Sequence, residues 1–223
     1  MPNDFVSDHH RHRPQASRSL SGERRPLSPA ARDHARQPVP RRIPNEFYPT
    51  PPEAVRALLS VEAFDGSIWE PACGEGAISK VLSAAGHQVV STDRYAYGFG
   101  ETGLDFLAEP TPRARHIVTN PPYGHGLADA FTLKALALTR QTGGKTALLL
   151  NLASLCHPSR TAFWQCNRPA RIYAIDGVVC WPEHRYEPAP ELFTRHRYCW
   201  VVWSPEHQGA PLFGWLSAEA FRI

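Results

Sequence analysis

Ser67-Ile68-Trp69-Glu70-Pro71-Ala72-Cys73-Gly74-Glu75-Gly76 reads as a strand that runs directly into a glycine turn. Ala77 to Ala85 follows as a helix, with Gly86 placed to end it, and Gln88-Val89-Val90-Ser91-Thr92-Asp93 is a second strand closed by an acid. Strand, turn, helix and strand in this order form a βαβ unit, which demands a parallel sheet. Working downstream, His116-Ile117-Val118-Thr119 is a short apolar run that leads into Asn120-Pro121-Pro122-Tyr123. Leu127 to Arg140 carries apolar residues at helical spacing. Thr142-Gly143-Gly144 turns into another buried strand, Lys145 to Leu150. Alternating strands and helices imply an α/β fold with a mostly parallel sheet.

The glycine turn departs from the phosphate-binding dinucleotide pattern. That pattern needs a small residue three positions after Gly76, where Ser79 stands, and Glu70 ahead of the turn would repel a pyrophosphate. The acid suits a cofactor that carries an ammonium group and no phosphate, and S-adenosylmethionine is one. Asp93 lies 19 residues after Gly74 at a strand end, where a carboxylate can accept ribose hydroxyls. Asp105 interrupts the apolar segment Gly103 to Leu107; it can accept from an adenine amine while Phe106 covers the ring, or it can be a turn aspartate.

Two consecutive prolines cannot continue a strand ladder, and each pushes its predecessor into extended geometry. Asn120-Pro121-Pro122-Tyr123 is therefore a stiff corner at a strand's C-terminal edge, presenting an amide beside an aromatic ring. In open α/β sheets ligands bind at that edge. The pairing suits a planar group that bears an amine.

Upstream, Tyr48-Pro49-Thr50-Pro51-Pro52 is a rigid elbow. Thr50 is placed as N-cap of a helix running to Leu59. Downstream, Arg171 to Ile175 and Tyr198 to Trp203 read as strands that pair antiparallel. Val179-Cys180-Trp181-Pro182 lies between them. Trp69, Trp164, Trp200, Trp203 and Trp215 are expected in the core or in packing. The basic and aromatic loop from Glu183 to Arg197 is read either as a phosphate-contacting segment or as solvated surface.

The 223 residues, 42% hydrophobic and 20% charged, fit a soluble globular protein. Residues 1–44 hold nine Arg and no Lys against four acids, a net +5, so the remainder carries 15 basic and 17 acidic residues, a net −2. That basic, Pro-rich stretch is expected to be a disordered tail, and residues 45–223 a single domain. No apolar run is long enough to span a membrane. Five scattered cysteines without a C-x-x-C pair fit a reducing cytoplasm and give no metal site.

The set of Tyr48-Pro49-Thr50-Pro51, Glu70 to Gly76, Asp93, Asp105-Phe106 and Asn120 to Tyr123 resembles class I S-adenosylmethionine-dependent methyltransferases. Within them it is most similar to small phage- or prophage-type N6-adenine DNA methyltransferases. The resemblance implies a Rossmann-like, seven-stranded sheet with an antiparallel last strand and helices on both faces. It also implies cofactor contacts. Tyr48, Thr50 and Pro51 would meet the methionine carboxylate. Glu70, with Pro71, Ala72, Cys73, Gly74 and Gly76, would hold the amino-acid end, Asp93 the ribose, and Asp105 and Phe106 the adenine. Asn120 and the Pro121 carbonyl would accept the two hydrogens of the target amine, with Pro122 stiffening the corner. Tyr123 would stack on the base and Trp181 would lie on its other face. DNA is the expected substrate. RNA bases and the glutamine side chain of a protein offer the same amine. The short stretch between the strand near Leu150 and the strand at Tyr198 leaves little surface for reading a base sequence.

Overall fold

The computed structural model describes residues 43–222. Eight strands form one sheet: β1 (Ile68–Glu70), β2 (Val89–Asp93), β3 (Glu101–Thr102), β4 (His116–Thr119), β5 (Thr146–Asn151), β6 (Arg171–Asp176), β7 (Tyr198–Trp203) and β8 (Leu212–Ser217). Their spatial order is β3-β2-β1-β4-β5-β7-β6-β8. The first five strands run parallel. β7 runs antiparallel between β5 and β6. The expected seven-stranded arrangement with an antiparallel seventh strand holds, and β8 extends it on the far side of β6, parallel to that strand.

The helices explain why β1, β4 and β7 are buried at every position. α1 (Pro52–Leu59) and α2 (Ala77–Ala84) cover one face, and α3 (Leu127–Thr142) covers the other. Successive strand residues point to opposite faces. Thus Val118, Ala147, Leu149 and Trp200 pack with Val55 and Leu58 of α1 and with Ile78 and Leu82 of α2. Their neighbours Leu148, Leu150 and Val201 pack with Ala128 and Leu136 of α3. Trp69 and Ile117 meet Phe131, Ala135 and Leu138 of the same helix. Trp200 also donates its indole N–H to the Ala54 carbonyl (2.9 Å), fixing α1 on the sheet.

Three expectations are corrected. Pro51, not Thr50, occupies the N-cap position of α1, and no side chain caps that end. Proline at the first helical position leaves one fewer donor to satisfy there. Trp215 is 81% exposed, not a packing residue, because it stands on the edge strand β8 beside the exposed Phe213. Ile43 and Pro44, assigned to the tail, are part of the ordered body: Ile43 is buried against Phe47, Trp181 and Phe193. The rest of the expected tail, residues 1–42, lies outside the described residues.

At the sheet end opposite the strand C-termini of β4 and β5, Glu62 is buried and ion-paired to Lys145 (3.0 Å) and Arg171, and it accepts from the Tyr173 hydroxyl (3.0 Å). Burial pushes this carboxyl up, but the hydrogen bonds from Arg171 and Lys145 outweigh it and hold Glu62 below the usual carboxylate range. Removing the acid would leave two half-buried cations unpaired. Glu62→Ala is expected to lower the unfolding free energy by about 3 kcal/mol in denaturant titration. The deficit should be complete above the ordinary carboxylate range and should fade as pH falls below it, because the depressed pKa stabilises the fold only while Glu62 is charged.

Candidate functional site

The strand order reverses at β1, which lies between β2 and β4, so their C-terminal ends open a crevice at a topological switch point. A cavity of about 320 Å³ occupies that crevice. Tyr48, Thr50, Glu70, Pro71, Ala72, Cys73, Gly74, Asp93, Asp105, Phe106, Asn120, Pro121 and Pro122 all line it. These residues, spread over 75 positions from Tyr48 to Pro122, share one cavity wall.

The acid series is built from backbone donors. Glu70, at the end of β1, is 2% exposed and accepts from the Ser79 N–H (2.7 Å) in the first turn of α2 and from the Ser79 hydroxyl. Ser79, the residue that broke the dinucleotide pattern, is thus the partner that lets a carboxyl sit inside the glycine turn. Burial pushes the Glu70 carboxyl up to about 8, against the Ser79 hydrogen bonds, with Asp93 adding to the rise. Asp93 closes β2 and braces the turn: Oδ2 accepts from the Gly74 N–H (2.8 Å) and Oδ1 from the Tyr95 N–H (2.8 Å). Burial raises this carboxyl too. Gly74 has φ +54°, and a Cβ there would stand 2.7 Å from the Phe47 ring. Asp105 is the turn aspartate of its second reading, with Oδ1 accepting from the Leu107 N–H (3.0 Å), and it also lines the cavity. Phe106 is buried edge-on against Trp69.

Thr50 is 3% exposed, and its hydroxyl has no oxygen or nitrogen partner although it faces the cavity. Its partner is the Cys180 thiol, and sulfur is a weak hydrogen-bonding atom, so the hydroxyl keeps capacity for a ligand's polar group. Nucleophilic sulfur is not available: burial pushes both Cys73 and Cys180 up to about 12.

Four expected residues stand elsewhere. Pro51 and Gly76 are next to the cavity in sequence but end α1 and α2 at their N-cap positions. Trp181 is buried in an aromatic cluster with Ile43, Phe47 and Phe193, and its indole N–H bonds to the Tyr186 carbonyl. It backs Tyr48 (ring centroids 6.3 Å apart) and does not face the cavity. The half-buried Tyr123 packs against the core on both sides of the sheet. Its hydroxyl lies 2.5 Å from Asn120 Oδ1 and 2.9 Å from the Leu149 carbonyl. The cavity wall also holds residues the sequence reading missed, among them Phe47, Tyr95 and Tyr97. Phe47 and Tyr97 stack on each other (4.4 Å). Tyrosines two and four places past the strand-ending Asp93 were the available signal. Glu75, also in the lining, pairs with Arg185 (2.5 Å) and His184 (3.3 Å), and the Arg185 guanidinium lies over Phe47.

No protein-family model matches the chain, and no curated protein does either. Solved structures do. The modification subunit of a proposed type I restriction enzyme from Vibrio vulnificus YJ016 is 15% identical over 74% of this chain and 45% of its own, with TM-score 0.50. A proposed class I S-adenosylmethionine-dependent methyltransferase of Listeria monocytogenes is 14% identical over 74% of this chain and 62% of its own, with TM-score 0.49. The fold is a Rossmann-like, mostly parallel sheet with helices on both faces. A predicted O-methyltransferase from Agrobacterium tumefaciens is similar as well (15% identity, 75% of this chain and 86% of that one, TM-score 0.49). The chain spans less than two thirds of the length of the first two.

Because Glu70 is held protonated by burial, its folded pKa exceeds the ordinary carboxylate value of 4.5. The stability this gives is complete below 4.5 and is lost as pH rises to about 8. Compared with Glu70→Gln, the ligand-free wild-type protein should lose stability steadily across that window and run parallel above it. Thermal melts at a series of pH values check this, and parallel curves throughout would show that Glu70 is solvated.

Proposed function

We propose that the protein is an S-adenosylmethionine-dependent methyltransferase acting on an exocyclic amine, with N6 of adenine in DNA as the acceptor and residues 45–223 as the catalytic domain. The observation that carries this reading is that Asn120, on its proline-stiffened corner, shares one cavity with Glu70, Asp93, Asp105 and Thr50. The residues suit that cofactor: buried carboxyls for an ammonium and a ribose, a hydroxyl with no oxygen or nitrogen partner for a carboxylate, and an acid where a phosphate would be repelled. S-adenosylmethionine supplies a methyl group on a sulfonium, ready for in-line displacement.

The chain's own part is positioning. An amine on an aromatic base is a weak nucleophile because its lone pair is delocalised into the ring. Asn120 Oδ1 and the Pro121 carbonyl accept its hydrogens, draw the nitrogen towards tetrahedral geometry and aim the lone pair into the cavity. Pro122 keeps the corner from relaxing into a strand. The base must be unstacked to reach the crevice. A DNA acceptor is supported by the resemblance of the corner to N6-adenine enzymes, and by a similar fold serving as a restriction enzyme's modification subunit.

Incubation with methyl-labelled cofactor and separate DNA, RNA and protein acceptors tests the reading. Label is expected in DNA, on adenine. Label confined to RNA or protein would keep the methyltransferase and remove its substrate. Asn120→Ala is expected to lower transfer by at least about 100-fold while cofactor affinity, measured by calorimetry, changes little. Loss of cofactor binding in that variant would mean the corner belongs to the cofactor half of the cavity.

A further inference from the structure

β8 ends the sheet. Among the described residues it pairs with β6 on one side and with no strand on the other. The Leu212 N–H donates to the Ala170 carbonyl (2.9 Å). The backbone polar groups of Leu212, Gly214 and Leu216 therefore point to β6, and those of Phe213, Trp215 and Ser217 point to the open edge. Sheets commonly blunt such an edge with a lysine, a proline or a bulge. Leu212-Phe213-Gly214-Trp215-Leu216-Ser217 has none of the three, and its register with β6 is unbroken.

The two faces of β8 differ. On the side covered by α1, Leu216 packs against the core, and a Cβ on Gly214 would stand 3.1 Å from the Tyr173 ring. Phe213 and Trp215 lie on the other face, in register with Ile172 and Ala174 of β6. Neither joins the core under α3, and their rings meet each other edge-on (5.1 Å). Phe213 is 52% exposed and Leu212 60%, against 81% for Trp215.

We propose that β8 is a dimer edge, at which two copies of this chain pair β8 with β8, antiparallel about a two-fold axis at Gly214, into one continuous sheet. A second copy fits by register. A two-fold axis normal to the sheet keeps each face on its own side, so residues whose backbone points outward pair with their own kind. With Gly214 opposite Gly214, Phe213 exchanges both backbone hydrogen bonds with Trp215 of the second copy, and Trp215 does the same with Phe213. Their rings then form one strip on the uncovered face. The glycines form the pair that exchanges no hydrogen bonds, where opposed side chains come closest, and neither has one.

Charge points the same way. The six residues of β8 carry none, so like meets like without repulsion, and a phosphate backbone finds nothing to hold. The exposed parts of Leu212, Phe213 and Trp215 come to about 400 Å² per copy, given about 150–250 Å² for a large aromatic side chain. Two copies with their strand backbones reach about 1,000 Å², the low end for a specific interface, which makes the dimer a micromolar one. β4, β5, β7 and β6 separate β8 from β1, so pairing leaves the crevice of each copy open. The inference is independent of the methyl-transfer reading.

Sedimentation of the full chain over about 1–100 µM tests it, and monomer is expected to give way to dimer with no larger species. Trp215→Lys puts a charge on the edge and is expected to raise the dissociation constant by at least about 10-fold. Leu133→Lys changes a residue on α3 that is likewise exposed, and should leave that constant where it is. Hydrogen exchange read by mass spectrometry needs no variant: protection of residues 212–217 should grow with protein concentration. A chain still monomeric at the highest concentration, species beyond the dimer, a dimer indifferent to Trp215→Lys, or exchange in β8 indifferent to concentration would each overturn the proposal. So would protection of β8 that is gained by adding a different protein and not by adding more of this one.

Discussion

The burial of one carboxyl at the end of β1 is what the crevice is built around. Glu70 sits under the glycine turn with almost no access to water, and it is tolerable there because the first turn of α2 offers a backbone N–H and the Ser79 hydroxyl. Helix N-termini have such donors to spare. From this contact the geometry spreads outward. The turn must be tight, so Gly74 and Gly76 take positive φ. The loop then comes within reach of Asp93, whose carboxylate ties the end of β2 to Gly74. The closeness of the two acids adds to the rise of Glu70's pKa. The pocket therefore holds latent negative charge that an arriving cation would release.

Much of this arrangement was legible in the sequence because it is local. Strand residues that point alternately into two covered faces are mostly apolar, and the runs at 147–150 and 198–203 say so directly. The corner at Asn120 was legible for a similar reason: prolines restrict their neighbours whatever the tertiary context. Glu70 and Asp93 announced themselves by standing at strand ends.

What could not be read depends on partners distant in sequence. The Tyr123 hydroxyl turns to β5 because a carbonyl there, 26 residues away, offers it a hydrogen bond. Trp181 is buried because Ile43, Phe47 and Phe193, from both sides of the chain, close around it. β8 was missed because its apolar residues do not alternate cleanly: the strand lies at an edge, where one side has no neighbour to select them. In each case the residue type fits either role, and only the assembled fold decides.

The pairing of Arg185 with Glu75 bears on how the loop that carries Arg185 is held. Both partners are substantially in water, where such a pair contributes about 1 kcal/mol or less. Trp181 and Phe193, on either side of Arg185 in sequence, are buried with Ile43 and Phe47. The loop is thus held to the body by its apolar side chains, and a change of salt that dissolves the ion pair leaves its attachment intact.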